Sequence, residues 1–353
     1  MPKVSVIVAN YNNAKFLPQC LDSLIAQSYQ DYEVLVFDDC SIDNSRDVIL
    51  AYSAKDTRIK LIPLSPNKGV AHLRSIALAH CAGEYIAVLD ADDFSLPSRL
   101  QLQADYLDVH QDVVLVSSYA SVIDAEGRVL KPIVTIPTTD DVLRWRLFSG
   151  NCFVRSTLMF RRDAAIKAGG YNSAMTCAED MDIICRLMLQ GKLAAIPHIL
   201  SCWRSHQSSY TQQAMDRIMQ GTYQILRSNV QRILQTEIGN NLAQALHSSQ
   251  PANPHEFVDL LELILRYHAQ LCEHESNPQS HRNYHRLCLG SLLKIRKLCR
   301  RQAWFFTVRP ALRAAIIRLL STPGYLWFWD TKLRISLRKR LYLLALRYKI
   351  HIG

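Results

Sequence analysis

Three carboxylates, Asp90, Asp92 and Asp93, crowd the end of an apolar run in "EYIAVLDADDFSLPSRL" (84–100). Like charges this close repel, and chains keep such clusters where a cation, an arginine or a bound ligand offsets them. Hard oxygen donors suit Mn²⁺ or Mg²⁺. An EF-hand loop would need glycine at its sixth position and glutamate at its twelfth, where Ser95 and Gln101 stand. A phosphoaspartyl DxDxT motif would need threonine in place of Phe94 and would follow the first strand of its fold, not the fourth. A helix N-cap, with Asp92 or Asp93 capping a helix that Pro97 opens, accounts for one acid but not three. A second acidic group, Glu179, Asp180 and Asp182, opens "AEDMDIICRLMLQG", in which Met181, Ile184, Leu187 and Met188 form one apolar helical face closed by Gly191. Asp182 and Arg186 lie four residues apart and read as a surface ion pair.

The elements around these residues alternate. "VSVIVAN" and "YEVLVFDD" read as buried strands flanking a helix that carries Phe16, Leu17, Cys20, Leu21, Leu24 and Ile25 at helical spacing. A helix over 45–54, a strand "IKLIPL", a helix over 70–80 and a strand "EYIAVLDADD" follow. The expectation is an α/β fold with a mostly parallel central sheet covered on both faces. Ligands of such sheets sit beyond the carboxyl ends of strands, where "NYNN", "DDCSIDNS" and "DADD" fall. Neither G-x-G-x-x-G nor a Walker motif is present, so a phosphate-bearing ligand would need another source of positive charge. A divalent cation on the acid cluster would supply it.

Composition sets the frame. The chain has 353 residues, 49% hydrophobic, with ten cysteines and no CxxC spacing. With no leader ahead of the first strand and no apolar run of spanning length, the expectation is a reduced, cytoplasmic, soluble or peripheral protein. Strand-like segments stop near residue 210, and helices broken at "SSQPANP", "ESNPQS" and "STPG" occupy 211–353. From Ser291 onward fifteen Lys and Arg face one acid, Asp330. Such a tail suits an anionic surface. Its aromatics, Trp304, Phe305, Phe306, Trp327, Phe328 and Trp329, cluster in short apolar runs and do not interleave as a nucleic-acid stacking surface would. Docking on an anionic membrane through amphipathic segments such as Leu292, Ile295, Leu298 and Cys299 is the expectation, with packing of the same faces inside the protein as the alternative.

"VSVIVANYNNAKFLPQCLDSLIAQSYQDYEVLVFDDCSIDNS", "NKGVAHLRSIALAHCAGEYIAVLDADD" and "AEDMDIICRL", in this order and spacing, resemble the family 2 glycosyltransferases of GT-A fold over about residues 3–210. The resemblance implies a catalytic domain over 1–210 that inverts configuration while moving a sugar from a nucleotide-sugar donor, UDP by family tendency, to a glycan or lipid-linked acceptor. It implies that Ala9, Asn10, Tyr11, Asp38 and Asp39 hold base and ribose, although Ser41 and Asp43 also fit a plain Asx turn. Arg74 would lie near the diphosphate, or else be an exposed helix arginine. Asp92 and Asp93, supported by Asp90, would meet the ribose and a Mn²⁺ or Mg²⁺ ion, and His206 would stand near the metal or be structural. Asp180 of the Glu179-Asp180 pair would be the general base, its pKa raised by the neighbouring acid. A catalytically silent nucleotide-sugar-binding or scaffold protein with a basic tail is the alternative.

Overall fold

The computed structural model describes residues 1–206 and 214–320. In chain order the first elements are β1 (Val4–Asn10), α1 (Leu17–Ile25), β2 (Tyr32–Asp38), α2 (Ser45–Lys55), β3 (Ile59–Pro63), α3 (Val70–His80) and β4 (Tyr85–Asp90). A two-residue strand β5 (Phe94–Ser95), α4 (Arg99–Val109), β6 (Val113–Ile123), β7 (Val129–Val134), α5 (Asp140–Leu147), β8 (Met159–Arg161), α6 (Arg162–Lys167), α7 (Glu179–Leu187) and β9 (Lys192–Arg204) follow. Helices complete the described chain: α8 (Met215–Leu234), α9 (Asn240–Ser248), α10 (Pro254–Glu273), α11 (Pro278–Cys299) and α12 (Phe305–Leu320).

The sheet runs β3-β2-β1-β4-β8-β6-β9-β5, with β7 paired to β6. Its long ladders are parallel, β1 with β2 and β4 and β6 with β9, while the antiparallel ladders are short. Strands β1, β2 and β4 are buried almost throughout, as the Val/Ile/Leu runs demand of strands covered on both faces. Val4, Val6 and Val8 meet Leu17, Leu21 and Leu24 of α1 in one apolar cluster. Each such side chain contributes on the order of 1.5–3 kcal/mol. Because β1 and β4 run parallel in register from Val4↔Tyr85 to Ala9↔Asp90, the polar residues that follow both strands emerge at one edge of the sheet.

Strand β9 carries no alternating pattern and contains Pro197. It pairs with β6 through a register break between Ile196 and Ile199, so Pro197 lies in a bulge where its missing N–H is tolerated. Gly191 ahead of β9 does not close α7, which ends at Leu187. A Cβ there would stand 2.4 Å from Val114 Cγ1, so the glycine permits close approach to β6. Helix α4 opens at Arg99 after Ser98, so neither Asp92 nor Asp93 caps it.

Contacts divide the chain into two compact units, Met1–Ala243 and Gln244–Gly353. The first holds the sheet together with α8, whose Gly221 approaches so closely that a Cβ would meet Cys177 Sγ at 2.9 Å. In the second, α10, α11 and α12 pack on one another, with Phe257 edge-on to Trp304 and Phe305. Leu292, Ile295 and Cys299 are buried there and only Leu298 of that stripe is exposed, so on α11 the stripe packs inside the protein. The runs "LWFW" and "KLRISLRKRLYLLALRYK" lie outside the described residues. No helix among the described residues is long and apolar enough to cross a membrane.

Candidate functional site

The ends of β1 and β2 form one wall of a cleft lined by Ala9, Asn10, Tyr11, Phe16, Asp39, Asn67, Gly69, Arg74, Asp90, Asp92, Arg155, Trp203 and His206. Asp38 is not in it. Its carboxylate is fully buried and accepts hydrogen bonds from Asn10 Nδ2 (2.8 Å), Ser41 Oγ (2.5 Å) and Arg46 Nε (2.7 Å). Burial pushes this carboxyl up, but the bonds from Arg46, Ser41 and Asn10 outweigh it and hold it below the usual range. Asp39 turns the other way, into the cleft, and accepts from the amides of Lys68 (3.0 Å) and Gly69 (2.7 Å). Gly69 has φ +86°, which glycine adopts without strain and which aims its N–H at Asp39 as α3 begins. Asn10 Oδ1 is a buried acceptor with no hydrogen-bond partner among the described residues, and Tyr11 is exposed at the rim. Ser41 and Asp43 brace the loop: Asp43 accepts from the amides of Ala14 and Ser45.

The acid cluster sits where the parallel ladder ends. Carboxylate oxygens of Asp90, Asp92 and Asp93 all lie within 4.8 Å of one another. Asp90 is answered by two arginines, Arg74 NH2 (2.7 Å) and Arg155 Nε (2.9 Å). Asp93 is buried and held from the protein side by Ser156 Oγ and the Arg204 amide. Asp92 faces the cleft and meets His206 Nε2 at 3.0 Å. Burial, with Asp90 beside it, raises the Asp92 carboxyl, while His206 works in the opposite direction. Burial and the charges of Asp92 and Asp90 raise Asp93 well above the ordinary range. The Arg204 guanidinium serves backbone carbonyls of Asp92, Asp124 and Ala125, so it props the loop more than it neutralises the acids.

A second cavity, lined by Asn151, Phe153, Glu179, Asp180, Met181 and Thr222 among others, shares Asp90, Arg155 and Trp203 with the first. Ala178 opens α7 in the left-handed region (φ +56°), an unusual conformation for alanine that orients the first turn of the helix. Glu179 is buried against Arg74 and Arg155, which outweigh its burial and hold it below the usual carboxylate range. Asp180 is only partly buried and accepts one bond from Asn151 Nδ2 (3.1 Å). Its carboxyl is raised, chiefly by burial and also by Glu179, against the pull of Arg155. Two adjacent carboxylates are thus pushed apart, which is how sites set acid and base roles.

Several expectations change. Arg74 is no exposed helix arginine: it is 1% exposed and bridges Asp90 to Glu179 across the domain. Asp182 and Arg186 do pair (2.5 Å), but mostly buried, and Arg186 NH1 also donates to the carbonyls of Ala168 and Gly170. Arg155, inside the run "NCFVRSTLMFRR" (151–162), is the residue that sequence reasoning missed. Its signal was an arginine among polar residues ahead of a short strand, with nothing local to mark burial.

The sheet topology and the acid cleft at its carboxyl edge define a GT-A fold. The chain matches the family model "Glycosyl transferase family 2" over residues 5–169. It is 33% identical over 194 residues to EpsE of Bacillus subtilis, described as a glycosyltransferase, a match covering 54% of this chain and 68% of that one. It is 29% identical over 199 residues to the amylovoran biosynthesis glycosyltransferase AmsE of Erwinia amylovora, covering 56% and 74%. Among solved structures, residues 1–349 of S. aureus TarS in complex with UDP-GlcNAc superpose with TM-score 0.57 at 18% identity, covering 92% of this chain and 89% of that chain. The protein belongs to glycosyl transferase family 2.

Proposed function

We propose that the protein is an inverting, metal-dependent glycosyltransferase. It would move a sugar from a nucleotide-sugar donor, with UDP the favoured nucleotide, to a hydroxyl of a glycan or lipid-linked acceptor in cell-surface polysaccharide synthesis. The observation that carries this reading is the junction of two cavities at Asp90, Arg155 and Trp203, one holding Asp39 and Asp92 and the other Asp180. The complex of TarS with UDP-GlcNAc and the naming of AmsE for amylovoran biosynthesis support the donor and product classes.

Asp39 and the unpartnered Asn10 Oδ1 would accept hydrogen bonds from the base and the ribose hydroxyls, with Tyr11 stacking at the rim and Asp38 fixing Asn10 from behind. The donor set fits a hard divalent cation. Five carboxylates (Asp90, Asp92, Asp93, Glu179, Asp180) outnumber the arginines Arg74 and Arg155 that neutralise them, and Asp92 presents an oxygen beside His206. Asp92 and His206 would hold Mn²⁺ or Mg²⁺, with Asp93 closing the cluster from its buried side. When bound, such an ion offsets the charge that develops on the departing diphosphate. Asp180 would take the proton of the acceptor hydroxyl, oriented by Asn151, whereas Glu179 is committed to Arg74 and Arg155 and keeps them in place.

Replacing Asp180 by Asn should lower transfer about a hundredfold or more with donor affinity kept, in line with typical acid–base contributions. Lost donor affinity with normal turnover at saturation would make Asp180 a binding residue instead. Peripheral association of the basic C-terminal region with the cytoplasmic face of a membrane belongs to the same reading. Flotation with anionic vesicles tests it: co-migration that is lost when the chain is truncated at 320 supports it, and a chain that stays behind at low salt overturns it.

A further inference from the structure

Helices α10 and α11 bring together three side chains that the glycosyltransferase chemistry does not use. His268 and Cys272 stand four residues apart on α10 and so share one face, and His285 meets them from α11. His268 Nε2 lies 2.9 Å from His285 Nδ1, Cys272 Sγ lies 3.5 Å from His268 Nε2, and all three donor atoms fall within 4.8 Å of one another. Both imidazoles are about 4% exposed and Cys272 is half-buried.

From this geometry we propose that His268, Cys272 and His285 form a zinc-type site in the helical unit, separate from the acid cluster of the sheet domain. In a tetrahedral Zn²⁺ site, with Zn–N near 2.0 Å and Zn–S near 2.3 Å, nitrogen donors lie about 3.3 Å apart and nitrogen and sulfur about 3.5 Å. The observed 2.9 and 3.5 Å need only small side-chain rotations to reach those values. The donor set is soft and nitrogen-rich, which selects Zn²⁺ over the Mn²⁺ or Mg²⁺ suited to carboxylates. On binding, Cys272 would release its thiol proton to solvent and ligate as thiolate. The half-buried side of the set leaves the fourth position to water. A metal-free arrangement, in which the two histidines hydrogen-bond to each other and the Cys272 thiol contacts His268 Nε2, is the alternative that the thiolate band below separates from a metal site.

The test uses the full chain, stripped with chelator and titrated with Co²⁺ as a spectroscopic substitute for Zn²⁺. The expected result is one equivalent that produces a thiolate-to-cobalt charge-transfer band and tetrahedral d–d bands and is displaced by Zn²⁺. Cobalt on the acid cluster would give no thiolate band, so failure of the metal role there and failure of this site are told apart. Cys272→Ser should abolish the band and weaken Zn²⁺ binding by more than about tenfold, while circular dichroism and transferase activity stay at the parent level. Absence of the band in the parent chain, or its persistence in Cys272→Ser, overturns the proposal.

Discussion

Removing the buried cation at the centre of the cleft gives the sharpest energetic test. In Arg74→Met the apolar stem is retained, but Glu179 loses one of its two cationic partners and Asp90 one of its two. Arg74 and Glu179 are each about 1% exposed and Asp90 19%, so little is lost to solvent screening. Stripping one member from a buried pair costs about 3–5 kcal/mol. Arg155 remains to hold both acids, which places the expectation near the lower end, about 3 kcal/mol. For a unit of this size that is a fall in Tm of roughly 6–12 °C. The loss must depend on pH. In the parent, Glu179 has a depressed pKa, so its contribution is present above the unfolded carboxylate value and disappears as pH falls through the folded one. In the variant burial pushes Glu179 upward against Arg155 alone, so the depression of its pKa is weakened or reversed and the penalty grows as pH rises. Thermal or urea denaturation of parent and variant from about pH 4 to pH 8 should therefore show the gap widest at the alkaline end. Adding Glu179→Gln to Arg74→Met should recover part of the loss. A gap below about 1 kcal/mol, or one that is flat across this range, would refute the buried-network account.

Other outcomes follow from the same contacts. Asp93→Ala leaves the Arg204 amide and Ser156 without their acceptor and should cost about 1–3 kcal/mol in chemical denaturation, whereas Asp92→Ala, facing the cleft, should cost far less; equal losses would contradict the two orientations. The acid limb of the transfer rate should lie above the ordinary carboxylate range, because the base must be ionised and burial raises Asp180, and a pH–rate profile checks this. Gly191→Ala forces a methyl against Val114 and the Asp112 carbonyl and should lower stability by about 1–3 kcal/mol, read from its melting curve.

Much of the sheet domain was legible because its central strands are continuous apolar runs and helices such as α1 and α7 carry clear period-3.6 faces. Helix α3 begins and ends where the sequence places it, and the clusters after β1, β2 and β4 reach one edge because those strands run parallel in register. Strand β9 escaped notice because a bulge at Pro197 breaks its alternation, and α5 lay in a stretch from about Ile133 to Arg162 where polar residues and strand formers mix with no clear period. Charge roles were harder to read than elements. Asp38 and Asp39 are adjacent in sequence, yet a turn of the backbone commits one to the interior and the other to the cleft. Arg74 and Arg155 are eighty-one positions apart, and only the fold shows that they clamp the same two acids. The α11 stripe shows the converse limit, since amphipathic spacing alone does not say whether a face meets lipid or protein.

Calorimetric titration of UDP and UDP-sugars into the full chain, with and without Mn²⁺, tests the central claim most directly. The account predicts saturable binding that needs the metal, is lost in Asp92→Ala, and survives in Asp180→Asn. Binding that is indifferent to both Mn²⁺ and Asp92→Ala, or no binding of any nucleotide or nucleotide-sugar tried, would contradict it.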